Sequence, residues 1–310
     1  MIRYVLKRLL QLIPVLIGLT FVIFALINLA PGDPGSAILG STAPPEAIQA
    51  FNESVGYYDP FFVRYGRFLL GLFRFDFGLS YASGSPVTAE ILERFPLTLK
   101  IAAYSMLFAV LIGVPLGVLS AVKQYSILDE VARVISVALA AVPSFWLALV
   151  MISTFAVKLK ILPSYGATSW KHFVLPIIAL GLPYAARELR MTRSCMLETI
   201  RQDYVRTVRA KGAKEKRVIW KHAFKNALLP VVTQVGSHFG VLIGGAIVTE
   251  TVFSMPGLGS YLITAIRAKN VNSVMGATTI MAVSFCLVML LVDLLYAAID
   301  PRIKAKYSGR

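Results

Sequence analysis

Residues 201–230 read RQDYVRTVRAKGAKEKRVIWKHAFKNALLP, and they decide how the rest of the chain is interpreted. The stretch is strongly basic, and its apolar residues recur at helical spacing on both sides of Gly212. It leads into an apolar run that is long enough to cross a membrane. Such a segment is either a solvated basic connector or a pair of short helices that a partner protein binds. The residues alone leave both interpretations open.

The charge-free runs of the chain predict its membrane spans. A helix needs about 20 apolar residues to cross the hydrocarbon core. Five of the predicted spans are long runs without Asp, Glu, Lys or Arg. The shortest, Phe173–Ala186, is assigned as a span because the charges of its two flanking loops put these loops on opposite faces of the membrane. The six predicted spans are Leu9–Gly32, Ile101–Val122, Val134–Val157, Phe173–Ala186, Ala227–Thr249 and Asn270–Val292. The sequence therefore predicts an all-α polytopic membrane protein with six transmembrane helices.

The composition agrees with a membrane protein. Of the 310 residues, 57% are apolar and 15% are charged, whereas soluble domains have about 45–50% and about 25%. These values exclude a disordered chain and argue against a soluble enzyme. The two cysteines, Cys195 and Cys286, provide neither a disulfide framework nor zinc-ligand spacing.

The distribution of Lys and Arg predicts the orientation. With the N terminus in the cytoplasm, the cytoplasmic segments carry 21 of the 31 Lys and Arg residues, and 12 of them lie between Arg187 and Lys225. The opposite orientation would place this loop outside, against the positive-inside rule. The first apolar run is too long for a signal peptide and is interpreted as an uncleaved helix. Both termini are therefore predicted to be cytoplasmic, and the charge of +15 indicates anionic lipid rather than nucleic acid as the partner.

A long external segment separates the first two predicted spans. Within it, the aromatic and apolar residues of 61–73 recur at helical spacing, with Arg64 and Arg67 between them. This pattern predicts either an amphipathic helix in the membrane interface or a packed lid over the outer mouth of a pore. Both interpretations remain open.

Catalytic and nucleotide-binding motifs are absent from the sequence. It contains no G-x-x-x-x-G-K-[ST], H-E-x-x-H, C-x-x-C or G-x-S-x-G. Its histidines, His172, His222 and His238, have no metal-ligand spacing. The predicted spans hold no carboxylate pair of the kind that proton-coupled transport normally needs. The chain is therefore predicted to be a permease powered from elsewhere; an intramembrane enzyme is disfavoured, and a passive channel would not need the basic segment 201–230.

Four stretches together resemble the permease subunits of ABC importers. Segment 201–230 is similar to their cytoplasmic coupling segment, and three shorter stretches agree with it: LAPGDP at 29–34, ETVFSMPGLG at 250–259 and DPRI at 300–303. The likeness covers essentially the whole chain. Among these importers, the chain resembles the dipeptide/oligopeptide/nickel family, and within that family it resembles the B-type permease subunits of dipeptide importers.

One difference from the wider importer motif concerns its start. Arg206, Thr207 and Val208 stand where that motif begins Glu-Ala-Ala. The acidic residue of the motif therefore has no assigned counterpart, although Asp203 lies one helical turn earlier.

The resemblance implies a type I ABC importer permease fold and an assembly of separate chains. A homologous second permease would complete the translocation path, two ABC ATPases would bind ATP and Mg, and an external substrate-binding protein would deliver di- or oligopeptides. The chain itself would bind no cofactor or metal, would not be an enzyme, and would lie in the lipid of a bacterial or archaeal plasma (inner) membrane. Nickel or metal-chelate uptake is the alternative, because the same family includes it.

The resemblance also implies which residues contact the ATPases and how the chain is divided into regions. The coupling residues would be Asp203, Arg206, Thr207, Arg209, Ala210, Lys211 and Gly212. The predicted regions are a first transmembrane helix at 1–32, an external segment at 33–97, a five-helix permease core at 98–298 with the coupling segment at 201–230, and a cytoplasmic tail at 299–310.

Three further groups of residues are candidates for the transport path and its packing. His238 lies in mid-span, where a polar side chain either lines the path or forms a hydrogen bond in the packing. Part of the 250–259 stretch resembles an outer gate or docking segment, or is a tight external turn; its candidates are Phe253, Met255 and Pro256. Glycines spaced four apart predict close helix packing, and they are Gly236, Gly240 and Gly244.

Overall fold

The computed structural model describes residues 2–40 and 42–299, and these are almost entirely helical. Within this part of the chain the only bridge of β type joins Leu79 and Pro86. The predicted all-α fold class is confirmed. The DPRI stretch and the predicted cytoplasmic tail from residue 300 onward lie outside the described residues.

The described residues form long helices joined by short helical and extended connections. In chain order the helices are α1 (Ile2–Leu29), α2 (Pro34–Leu39), α3 (Pro45–Ser54), α4 (Phe61–Leu72), α5 (Val87–Val122), α6 (Ile127–Ala141), α7 (Ser144–Met151), α8 (Lys171–Ile200), α9 (Asp203–Ala210), α10 (Glu215–Arg217), α11 (Phe224–Val252), α12 (Leu258–Arg267) and α13 (Val271–Ile299). π-helical turns follow α7 and precede α11, at Ile152–Lys158 and Val218–Ala223.

Four of the predicted spans correspond to helices that are long and apolar enough to cross a membrane. They are Leu9–Leu29, Val87–Val122, Glu215–Val252 and Val271–Leu294. A bent pair, Ile127–Ala141 with Ser144–Lys158, becomes a fifth if it crosses as one span. By length and composition, the described residues therefore provide four or five spans rather than the predicted six.

The third predicted span, Val134–Val157, is not a single helix. α6 ends before Val142, which is extended (φ −72°, ψ 126°), and α7 starts after Pro143. The two parts are bent by 99°. The proline explains the break, because its ring disfavours helical geometry in the residue before it and removes a backbone donor.

The fourth predicted span is much longer than expected. α8 runs from Lys171 to Ile200 and contains two prolines, Pro176 and Pro183, without ending at either. The predicted span ends at Ala186, whereas the helix continues without a break through 187–200; the helical spacing predicted for these residues agrees with this, and the cytoplasmic position of 187–225 stays a prediction. Two charged residues of this continuation, Glu188 and Arg193, have hydrogen-bond partners on α11 and α6, which local sequence does not reveal.

The chain divides into two compact units. One comprises Lys100–Ser254 with the C-terminal segment from Leu287, and the other comprises Ile2–Leu99 with Met255–Cys286. The predicted region boundaries at 32, 97 and 298 stay predictions.

In the first unit, α5 and α8 pack with their backbones close together. A Cβ atom added to Gly113 would collide with the carbonyl oxygen of Ala185, and one added to Gly117 would lie 2.6 Å from that of Leu189. Only glycine fits at these two positions, so this pair, spaced four apart, sets the distance between the helices.

In the second unit, the apolar face of α4 packs on the middle of α1. The rings of Phe61 and Tyr65 lie 5.0 and 5.5 Å from that of Phe24, and the Tyr65 hydroxyl donates to the carbonyl of Ile17 at 2.8 Å. Residues 61–72 are therefore helical as predicted, and α1 covers their inner face. Large apolar side chains on the outer face, such as Phe62, are exposed.

Candidate functional site

The predicted coupling segment folds as a short helix, a glycine with left-handed backbone geometry and a second short helix. α9 begins after Gln202, which is extended (φ −70°, ψ 148°), and ends at Ala210. Gly212 has φ +77°, a conformation that strains any residue with a side chain. The glycine therefore allows the chain to reverse towards α10, as it does after many helices.

One buried residue attaches α9 to the membrane helices. Val205 is completely buried in an apolar cluster that includes Met196 of α8, Val118 of α5 and Ala227 of α11. Because packed interiors yield little under load, a displacement of α9 would be transmitted to these three helices.

The other side of α9 is open. The residues predicted for coupling are all exposed: Asp203, Arg206, Thr207, Arg209, Ala210, Lys211 and Gly212. An exposed, basic surface on a helix that is fixed from behind has the form of a binding surface rather than of a loose connector.

Two arginines of α9 have partners within the chain. Arg209 donates to Glu215 through two hydrogen bonds of 3.1 and 2.7 Å, which bridge the turn at Gly212 and raise the pKa of Arg209. Arg206 lies 3.6 Å from Asp203 on the exposed surface. Arg209 therefore has a structural partner, which the sequence prediction missed.

A cavity with both polar and apolar lining residues lies within the first unit. It has a volume of about 670 Å³ and is bounded by α8, α11 and α13. The residues that line it are Met191, Pro230, Thr233, Gln234, Ser237, His238, Val292 and Asp293.

His238 reaches this cavity and is held from behind by Glu188. The Nδ1 atom of His238 lies 2.7 Å from Oε1 of Glu188, and the His238 ring packs edge-on against Tyr184 at 5.2 Å. Glu188 is completely buried, and its Oε2 atom has no hydrogen-bond partner in the described part of the chain. His238 therefore has a hydrogen-bond partner and a ring contact within the packed helices, and its role in the translocation path stays a prediction.

The predicted gate segment forms a turn. Phe253 and Met255 are each 1% exposed, whereas Pro256 is exposed. Between them Ser254 has φ +48°, and the carbonyl of Phe253 accepts a hydrogen bond from the backbone of Gly166 at 3.2 Å. A role in gating stays a prediction.

The three predicted packing glycines of α11 have different surroundings. A Cβ atom added to Gly236 would collide with Val292 of α13, and Gly240 is buried. Gly244 is exposed, and no described residue lies within 4 Å of a Cβ atom added there. The pair Gly113 and Gly117 on α5, which the prediction missed, shows closer backbone packing than Gly244.

Metal ligands do not cluster in the described residues. Among them, no group of three or more His, Cys, Asp or Glu side chains could hold a metal ion.

Two family models match the chain. The model described as binding-protein-dependent transport system inner membrane component matches residues 113–305, and the model of its N-terminal part matches residues 1–102. The chain belongs to this family. It is the permease subunit of an ABC importer, as the resemblance implied, and a multi-pass membrane protein.

Two relatives match the permease over its full length. The dipeptide transport system permease protein DppB of Alkalihalophilus pseudofirmus is 42% identical over 332 residues, which cover 98% of this chain and 100% of the relative. The glutathione transport system permease protein GsiC of Escherichia coli K12 is 38% identical over 306 residues, which cover 99% and 100%.

Two solved transporters share the fold. The methionine ABC transporter MetNI, in an inward-facing conformation, matches with a TM-score of 0.57 at 21% identity, over 68% of this permease and 96% of that chain. An amino acid ABC transporter crystallised with histidines matches with a TM-score of 0.53 at 15% identity, over 69% and 94%. The type I importer permease fold is therefore confirmed, although the count of six spans is not.

Proposed function

We propose that this permease imports short peptides as part of an ATP-driven assembly. The observation that carries the proposal is the exposed basic face of α9, fixed to three membrane helices through Val205. A second, homologous permease completes the translocation path, and two ATPases bind the coupling surfaces. The permease catalyses no reaction itself, and ATP and Mg are bound by the ATPases.

The substrate class follows from the relatives. Both the dipeptide permease and the glutathione permease, whose names refer to peptides, match this chain from end to end. These names favour peptides over the nickel alternative. Peptides reach the path from an extracytoplasmic binding protein, which sets most of the selectivity.

The charge distribution supports a coupling surface in the cytoplasm. The excess of Lys and Arg in 187–225 favours this side of a bacterial or archaeal inner membrane. The exposed apolar residues of the long helices contact lipid. When the ATPases close, they displace α9 and with it the helices that pack around Val205.

A substitution at Gly212 tests the coupling assignment. We expect Gly212→Trp to abolish ATP-dependent uptake of dialanine in proteoliposomes that contain the whole transporter, because a large side chain would fill the surface that an ATPase approaches. No described residue lies within 4 Å of a Cβ atom at this position, so the permease should still fold.

Gly84→Trp is the matched control, because it puts a side chain at a second residue with a left-handed backbone conformation. Gly84 has φ +70° and equally open surroundings, but it lies in the segment predicted to be external. We expect Gly84→Trp to retain uptake and ATPase co-purification, and Gly212→Trp to lose both at unchanged membrane insertion. Uptake at the wild-type rate by Gly212→Trp would reject the coupling assignment.

A further inference from the structure

A basic surface lies on the segment that leads into α11. We call it the basic face of 216–225, and its five exposed residues are Lys216, Arg217, Trp220, Lys221 and Lys225. The other side of the segment is buried, because Val218, Ile219 and Ala223 belong to the apolar cluster that contains Val205 of α9. The segment is therefore held by packing on one side and open on the other.

The positive charges of this face have no acidic partner in the described part of the chain. Glu215 is the nearest acidic residue along the sequence, and both of its carboxylate oxygens accept hydrogen bonds from Arg209. None of the described carboxylates forms an ion pair with Arg217 or with the three lysines of the face. Four positive charges within ten residues therefore remain for an anion outside the chain.

The position of the face along α11 places it at the membrane surface. The candidate span Glu215–Val252 has 38 residues, whereas about 20 residues cross the hydrocarbon core, so part of it extends into the headgroups. Lys225 and Lys221 precede the start of the apolar run at Ala227 by about 3 and 9 Å along a helix. Because a headgroup region is about 5–8 Å thick and lysine side chains are long and flexible, both ammonium groups reach the level of the lipid phosphates.

Trp220 adds an aromatic contact beside these lysines. Its side chain is 45% exposed, and its ring packs edge-on against Phe224 at 5.4 Å between centroids. Tryptophan is enriched where membrane helices meet the headgroups, and helices that combine Lys and Arg with Trp bind anionic lipid surfaces. The combination of charge, indole and position therefore favours a lipid surface as the partner of this face.

We propose that the basic face of 216–225 is a binding site for anionic phospholipids such as phosphatidylglycerol. Lys221 and Lys225 bind the headgroup phosphate, Arg217 attracts it from further out, and Trp220 lies between the headgroups and the acyl chains. A bound lipid holds the start of α11 and, through the buried side of the segment, the apolar cluster to which α9 is attached. The site does not depend on which substrate the permease transports.

Photocrosslinking from position 220 tests the site. The complete transporter, with p-benzoylphenylalanine in place of Trp220, is placed in nanodiscs that contain phosphatidylcholine and phosphatidylglycerol in a known ratio, and the lipid adducts are identified by mass spectrometry. We expect phosphatidylglycerol to be enriched among the adducts about fivefold over its share of the membrane, since one basic residue near the surface contributes about that factor. Lys221→Gln with Lys225→Gln should bring the adducts close to the composition of the membrane.

Lys158→Gln with Lys160→Gln is the matched control. Both lysines are exposed, and their replacement removes the same net charge from a different part of the chain. The enrichment at position 220 should therefore persist in this variant. An equal loss of enrichment in the two double variants would show attraction by net charge alone and would overturn the site.

Two further outcomes would also overturn the proposal. Adducts with an ATPase subunit in place of lipid would assign the basic face to a protein partner. Displacement of phosphatidylglycerol by millimolar inorganic phosphate, compared with chloride at the same ionic strength, would indicate a site for free phosphate. Adducts that persist in phosphate, together with their loss in Lys221→Gln with Lys225→Gln, would support the lipid site.

Discussion

Two carboxylates in the first unit, Asp129 and Glu188, are equally buried but differ in the number of hydrogen bonds that they accept. Asp129 of α6 is completely buried and accepts hydrogen bonds from Arg193 of α8 at both oxygens, at 2.6 and 2.8 Å. It also accepts from the Ser120 hydroxyl and from the Tyr125 backbone. Every hydrogen-bonding position of this carboxylate is therefore engaged in linking α5, α6 and α8.

Glu188 has the same burial but only one such contact. It meets His238 through Oε1, and its Oε2 atom has no partner in the described part of the chain. Buried polar groups in structures are nearly always satisfied, and exceptions often mark a functional role. The comparison indicates that the Asp129 carboxylate contributes to stability through all of its hydrogen bonds, whereas the Glu188 site leaves one buried oxygen unsatisfied.

The largest expected effect is the loss of the Asp129 carboxylate. Asp129→Ala would leave Arg193 without its partner and should lower the free energy of unfolding by about 3–5 kcal/mol. Thermal unfolding in detergent, followed by tryptophan fluorescence, measures the change. The double variant Asp129→Leu with Arg193→Met removes both charges and should recover most of the loss.

A smaller effect is expected where α5 approaches Glu188. Gly113→Ala would force a methyl group against the carbonyl of Ala185 and should destabilise the permease by about 1–3 kcal/mol. Gly244→Ala is the control, because no described residue lies within 4 Å of the added atom, and it should be neutral or slightly stabilising. Equal unfolding temperatures for the two variants would contradict the close packing of α5 on α8.

A still smaller change in stability is expected for Glu188→Gln. Since the amide has nearly the shape of the carboxyl group and keeps a hydrogen bond to His238, the free energy of unfolding should change by about 1 kcal/mol or less. If this variant unfolds as readily as Asp129→Ala, the two carboxylates have the same role and the comparison is wrong.

The sequence predicts the helices whose signal is local. Charge-free runs of sufficient length identify α1, α5, α11 and α13, because length and hydropathy are properties of one segment. The continuation of α8 past Arg187 is not visible in this way. Two of its charged residues, Glu188 and Arg193, form hydrogen bonds with residues 50 and 64 positions away, and such pairings arise only in the folded chain.

In the candidate site too, local features can be predicted from the sequence and contacts between distant residues cannot. The positive φ of Gly212 and the exposed face of α9 follow from a glycine after a short amphipathic helix, so the sequence indicates them. The contact of Glu188 with His238 required knowledge of which helix faces which. The spacing of Tyr184, Glu188 and Thr192 places them on one face of a helix, but it does not indicate which helix that face meets.

A third carboxylate, outside the membrane helices, extends the comparison to a group that solvent reaches. Asp33 caps α2, accepting from the Ser36 backbone at 2.8 Å and from the Asn52 amide at 2.7 Å. Chiefly the hydrogen bond from Asn52, followed by those from Ser36, lowers the pKa of Asp33 below its ordinary value.

The sign of the resulting pH dependence follows from this lowered pKa. The unfolded chain binds a proton at Asp33 more readily than the folded one, so the stabilisation is fully present above the unfolded pKa, about 3.9, and is lost as the pH falls through the folded value. We expect the wild type to lose about 0.3–1 kcal/mol more than Asp33→Asn between pH 6 and acid conditions, because asparagine keeps the cap without the charge. Unfolding temperatures of both proteins across this range measure the difference, and parallel curves would show that Asp33 contributes through its hydrogen bonds and not through its charge.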